Sequence, residues 1–207
     1  VAGLSGDGAA RVENLALEHD NFRAAIEWLS ETKDAEWGLR LGAALFRFWE
    51  TREYFAEGTD KLGKLLKLPQ AAAPTKARER ALFAAGVLAG EQGDYEWAGD
   101  LIRESLDIAH RLHDTQGIAV SLNALAVHAR DRGDFTRAYS LFEEGLVVWR
   151  ELGDRRDIAR SLSNLASVVK LKGEYARARS LYGECLAIFR EMEDRAGIAW
   201  TLNSLAD

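Results

Sequence analysis

Gly93-Asp94-Tyr95, Gly133-Asp134-Phe135 and Gly173-Glu174-Tyr175 stand forty residues apart, and this recurrence decides how the chain is read. The same step relates Ala98, Ala138 and Ala178; Leu106, Leu146 and Leu186; Asp114, Asp154 and Asp194; and Ile118, Ile158 and Ile198. Small, apolar and capping residues repeat in one register, the mark of a repeat architecture. Each unit reads as two amphipathic helices, for instance roughly 116 to 132 and 135 to 152, with leucines at three- and four-residue spacing. Gly133 is placed to end the first helix, because glycine takes the left-handed C-terminal cap without a Cβ clash. Asp134 is placed to cap the second helix and Asp154 the next hairpin. Ala138 falls where the paired helices cross closely, so a larger side chain there would push them apart.

Composition agrees with an all-helical reading. The chain has 207 residues, 47% of them hydrophobic, with only two prolines and many Ala, Leu, Glu and Arg, which lose little rotamer freedom in a helix. Strand signals are absent. A lone hairpin cannot bury its apolar face, so the expected fold is all-α: antiparallel hairpins stacked into a right-handed superhelix, a solenoid with a concave and a convex side. A net charge of -6 argues against a dedicated nucleic-acid binder. No apolar run approaches the ~18 residues that cross a bilayer, and no signal-peptide pattern opens the chain. The single cysteine, Cys185, lies among leucines and reads as a buried packing thiol, which fits a reducing, cytoplasmic setting. The chain begins at Val1 and stops at Asp207 inside the pattern, and is read as a piece of a longer protein.

The spacing from Leu125-Ala126 through Gly133-Asp134-Phe135 to Ala138, Phe142 and Leu146 resembles a tetratricopeptide repeat. The resemblance covers about residues 77 to 207, three repeats and a truncated last helix. It departs from the family in its forty-residue period and in lacking a proline to close the second helix. Residues 34 to 76 follow the same frame more loosely, with Phe55 matching Tyr95, Gly58 matching Ala98, Leu62 matching Ile102 and Leu66 matching Leu106. They form a degenerate repeat and a linker holding Pro69 and Pro74. Residues 1 to 33 make an N-terminal helical segment, in which Phe22, Ala25, Ile26 and Leu29 share one side of a helix. The run Leu17 to Leu29 resembles the helix that opens the repeat region of the signal-transduction ATPases with numerous domains, the MalT-like or LuxR-type regulators. That resemblance implies a nucleotide-binding switch domain upstream and repeats that sense an inducer or partner.

Signs of catalysis and of cofactor binding fail on chemistry. Gly58-Thr59-Asp60-Lys61-Leu62-Gly63-Lys64-Leu65 approaches a phosphate-binding loop, but Leu65 stands where a Ser or Thr must hold magnesium, and no strand precedes it. Gly86, Gly90 and Gly93 read as a small-residue stripe for close helix packing. His110 and His113 share a helical face without a third ligand, so no metal site is expected. His19 and His128 are isolated, and no Cys-His pair or paired carboxylates suggest a catalytic residue. No enzyme activity and no cofactor are expected.

A partner-binding groove is expected instead, lined by the first helix of each hairpin. Counting back from each turn glycine gives Arg80, Phe83 and Val87, then Val120, Asn123, Val127 and Arg130. The next repeat gives Arg160, Ser163, Asn164, Ser167 and Lys170, and the last helix Trp200, Asn203 and Ser204. A plain solvent face would alternate Glu and Lys, whereas Asn, Ser and aliphatics suit an extended peptide whose backbone needs donors and acceptors. The expected partner is a protein or peptide ligand, or the upstream nucleotide-binding domain. The competing expectation is a structural adaptor that self-associates through an apolar C-terminal end carrying Trp200, Leu202 and Leu205.

Overall fold

The computed structural model describes residues 16–206; the expectation for residues 1–15 lies outside them. Ten α-helices run from His19 to Ala206: α1 His19–Glu31, α2 Ala35–Thr51, α3 Phe55–Leu66, α4 Lys76–Glu91 and α5 Tyr95–Arg111 are followed by α6 Thr115–Asp131, α7 Phe135–Leu152, α8 Arg155–Leu171, α9 Tyr175–Glu191 and α10 Arg195–Ala206. A short 3-10 turn, Pro69–Ala71, lies in the stretch between α3 and α4.

The turns explain the regularity. Gly93, Gly133, Gly153 and Gly173 have φ between 73° and 83°, and Lys33, Glu53, His113 and Glu193 take the same left-handed conformation at φ 52–59°. These positions fall every twenty residues, with one gap where the 3-10 stretch intervenes, so the forty-residue repeat is two helix-turn units of equal length. At these turns backbone amides bond back toward the helix, as Gly133 N does to Arg130 O and Asp134 N to Ala129 O, both at 2.9 Å. Those bonds satisfy carbonyls that a helix end leaves orphaned. The aspartates then cap the next helix: Asp134 accepts from Arg137 N, Asp154 from Asp157 N and Asp194 from Gly197 N, each at 3.0 Å. Glu174, one methylene longer than Asp134, makes no side-chain cap bond. Two sequence assignments shift as a result. Gly93 and His113 both lie in left-handed turns, so Gly93 is not part of the small-residue stripe and His113 does not share a helix face with His110.

Contacts divide the described chain within α6, between Gly117 and Ile118, into two compact units. In the N-terminal unit, α2 pairs with α3 and both pack on α4, which pairs with α5. The core holds Leu39, Leu45, Phe48, Trp49, Leu62, Leu65, Leu82 and Leu88. Full burial of one such leucine is worth roughly 1.5–3 kcal/mol. Glycines set the helix approach: a Cβ on Gly58 would stand 2.5 Å from Leu88 Cδ1, and one on Gly86 2.5 Å from Ile102 Cγ1. The phosphate-loop look-alike, residues 58–65, is helical throughout and half of its residues are buried in this packing. Ile26 and Leu29 of α1 are buried, with Phe22 and Ala25 half-buried beside them, as the helix phase predicts. His19 stacks on Tyr54 at 4.9 Å and bonds Glu57 at 2.8 Å, which ties α1 to α3. Burial pushes the Glu57 carboxyl up, but hydrogen bonds from Arg23 and His19 outweigh it and hold the group below its usual range.

In the C-terminal unit, α8 packs on α7 and pairs with α9, and α10 packs on α9. Its core runs through Phe142, Leu146, Trp149, Leu162, Leu165, Val169, Tyr182 and Phe189. Ala138 and Ala166 are fully buried within it, in keeping with a small residue at the crossing. Cys185 is buried, its Sγ donating to Ala159 O at 3.2 Å, and burial pushes its thiol pKa up. Among the described residues no helix is long and apolar enough to cross a membrane, and no group of three or more His, Cys, Asp or Glu side chains could hold a metal ion.

Candidate functional site

The helical period sets which side chains of a first helix remain outside the core, and in the C-terminal unit these are chemically mixed. On α6, Val120, Asn123, Val127 and Arg130 are each half-buried, Val120 and Val127 resting on the core. On α8, Arg160 is exposed and Asn164, Ser167 and Lys170 are half-buried. Ser163 is only 4% exposed and faces inward, near the Cys185 thiol, so it offers little to a ligand. Arg160, Ser167 and Lys170 keep the forty-residue count from Val120, Val127 and Arg130, but at the position of Asn123 the count lands on buried Ser163 and its neighbour Asn164 takes the accessible place. On α10, Trp200 is 50% exposed, with its ring 6.3 Å from that of buried Tyr182. Asn203 is exposed, and the Ser204 hydroxyl is turned back to donate to Trp200 O at 3.1 Å.

Two of these residues meet directly. Asn164 Nδ2 donates to Asn123 Oδ1 at 3.2 Å, joining α8 to α6 through their amides. Each amide carries two donors and an acceptor with two lone pairs, so one shared bond leaves capacity on both. The cations differ in how far they are already engaged. Arg130 pairs with its neighbour Asp131 at 2.8 Å, and Arg160 with Asp157 at 3.0 Å. Lys170 makes no ion pair with any described residue and keeps its full charge available. Exposed pairs of this kind contribute about 0–1 kcal/mol, so either arginine can exchange its carboxylate for a ligand's. In the N-terminal unit, Arg80 is exposed, Val87 is half-buried, and Phe83 packs edge-on against Phe46 at 5.9 Å.

Sequence reasoning missed several polar groupings, some of which join residues distant in the chain. Two cations approach the Tyr139 ring, Arg177 at 4.9 Å and Lys172 at 5.0 Å from its centroid, and the Tyr139 hydroxyl bonds Glu143 and Arg177. Glu79, 2% exposed, is held by Lys76 at 2.9 Å, and the same ammonium contacts Asp114. His128 is half-buried, and burial holds its imidazole pKa below the ordinary value despite the nearby Asp131 carboxylate. The repeat frame did carry a signal there, since His128 stands where Leu88 and Val168 stand in the flanking repeats.

Comparison with known proteins locates the architecture. The family model described as tetratricopeptide repeat matches residues 117–191. No curated protein matches the sequence. Among solved structures, BtubC (BKLC) from P. vanneervenii aligns over 95% of this chain and 81% of its own, at TM-score 0.73 and 15% identity. A signal-transduction ATPase with numerous domains and a tetratricopeptide repeat sensor, from Pyrococcus horikoshii, aligns over 93% of this chain at TM-score 0.73 and 15% identity, but over only 31% of its own length. A Rap protein complexed with Competence and Sporulation Factor aligns over 83% of this chain and 47% of its own, at TM-score 0.67 and 16% identity. At such identities the likeness speaks for the fold alone. Residues 117–191 are therefore tetratricopeptide repeats, set in a chain whose fold is of tetratricopeptide type.

Proposed function

We propose that the accessible face of α6, α8 and α10 in the C-terminal unit binds an extended peptide segment of a protein partner, without covalent chemistry. The observation that carries this reading is the Asn164–Asn123 bond, flanked by unpaired Lys170 and half-buried Val120 and Val127. Such a face combines apolar contact, amides that read a peptide backbone, and a cation for a carboxylate. The setting we infer is the sensing region of a larger signalling ATPase or transcriptional regulator. Its support is the fold shared with the Pyrococcus horikoshii sensor and with the Rap protein complex. The partner is then either an inducer-like peptide or an upstream nucleotide-binding domain of the same protein.

The test is to select binders from a random peptide library on the whole chain and to measure their affinity for Asn164→Ala, Arg160→Ala and Arg130→Ala. Weakening by about tenfold for Asn164→Ala supports the face, a loss expected when a partner group is left unsatisfied. Unchanged affinity in all three removes it. A second reading, self-association, rests on the exposure of Trp200 at 50% and Leu202 at 46% on α10. Sedimentation across a concentration series, with Trp200→Ser and Leu202→Ser beside the parent, decides it: a monomer throughout ends that reading.

A further inference from the structure

The N-terminal unit departs from its own repeat in one concentrated place, on second helices and away from the accessible first-helix face. Trp97, in the first turn of α5, stands where the later repeats have Arg137 and Arg177. Lys64 of α3 stands where they have Glu104, Glu144 and Glu184, and Lys67 where the next repeat has Asp107. Two lysines thus stand where the next repeat has Glu104 and Asp107, Asp60 keeps the acidic residue found there as Asp100, and an indole replaces a later arginine.

The structure brings these departures together. Trp97 lines an open cleft of about 370 Å³ together with Ala56, Thr59, Asp60, Gly63, Lys64 and Lys67 of α3 and its C-terminal end. A Cβ on Gly63 would lie 3.9 Å from Trp97 Cη2, so the glycine leaves space beside the indole that any other residue would occupy. Trp97 is 37% exposed. Lys64 is partly neutralised by Asp60 at 2.7 Å, whereas Lys67 has no ion-pair partner among the described residues and leaves a positive charge at the rim. Thr59 is bound internally, donating to Phe55 O at 2.8 Å, so the cleft's open chemistry is the indole, the Lys67 ammonium and the Lys64–Asp60 pair, two cations against one carboxylate.

We propose that this cleft docks an acidic peptide segment carrying one aromatic side chain. The ring packs against Trp97 in the space above Gly63, where aromatic pairs take offset or edge-on geometry, and a flanking carboxylate meets Lys67 and competes with Asp60 for Lys64. Charge complementarity selects the partner: a basic peptide would be repelled at the rim, and one lacking the ring would leave the indole uncovered.

The probe is a fluorescein-labelled peptide, acetyl-Asp-Glu-Phe-Glu-Asp-amide, titrated by anisotropy against the whole chain, with Phe→Ala and all-Lys versions beside it. Saturable binding is expected only for the acidic Phe peptide. Trp97→Ala should weaken it by about tenfold or more, as buried aromatic anchors do. Lys67→Glu should weaken it comparably and flatten its salt dependence. Gly63→Glu fills the cleft with a like charge and, by replacing a mid-helix glycine, favours the helix, so its loss of binding cannot be laid to misfolding. Asn164→Ala should change nothing, which separates this site from the first-helix face. No saturable binding, equal binding of the basic peptide, or indifference to Lys67→Glu and Gly63→Glu would each overturn the proposal.

Discussion

Replacing Glu53 by glycine is expected to stabilise the protein, against the rule that glycine weakens helical structure. Glu53 ends α2 at φ 59°, its side chain is exposed, and its amide makes only a long bond to Glu50 O at 3.4 Å. Holding an L-residue in the left-handed region costs roughly 1–2 kcal/mol, and glycine removes that cost. Glycine also gives the unfolded chain more freedom, which takes back roughly 0.4–1 kcal/mol. The net gain is therefore about 0.5–1 kcal/mol, a rise of roughly 1–4 °C in the unfolding midpoint for a chain of this size. The mirror experiment is Gly133→Ala. Gly133 has φ 78° and nothing within 4 Å of where a Cβ would lie, so conformation alone opposes the change, and a loss of about 0.5–1 kcal/mol is expected. Thermal and urea melts of both variants read the effect. A destabilised Glu53→Gly, or a neutral Gly133→Ala, would refute the reasoning that these turns share one backbone conformation.

Burial sets two other expected outcomes. Because burial depresses the His128 pKa, the unfolded chain takes up the proton more readily. Stability from this group is thus intact above about pH 6.5 and lost as pH falls below it toward the folded-state value. His128→Leu, restoring the residue type of Leu88, should abolish that part of the loss as pH falls below about 6.5; a parent and variant that fall in parallel would contradict it. Ala138→Leu, at a fully buried crossing, should cost roughly 1–3 kcal/mol by overpacking, whereas Arg137→Leu on the exposed side should stay within about 0.5 kcal/mol, and urea midpoints showing the reverse order would invalidate the helix phase.

Much of the fold was legible in the sequence because its signals are local. Gly133, Asp134 and Ala138 announce turn, cap and crossing within six residues, and the structure places each in that role. The twenty-residue sub-period was hidden, since Lys33, Glu53, His113 and Glu193 hold the left-handed turn without its usual residue. For the same reason the sequence pattern puts His113 in a helix that it in fact terminates. The accessible positions on α8 were legible except at one place: Arg160, Ser167 and Lys170 follow the forty-residue count, whereas Asn164 is offset by forty-one positions from Asn123 and the strict count lands on buried Ser163. The Arg177 and Lys172 contacts to Tyr139, the Lys76–Asp114 contact and the Trp97 cleft needed coordinates, because each joins side chains from different helices or the turns between them.

The most direct test of the central claim is hydrogen exchange on the whole chain with and without a peptide selected as its binder. Slowed exchange is expected along α6 and α8 about Asn123, Asn164 and Lys170, and Asn164→Ala should weaken both the protection and the affinity. Protection confined to other helices, with Asn164→Ala binding as tightly as the parent, would contradict the account.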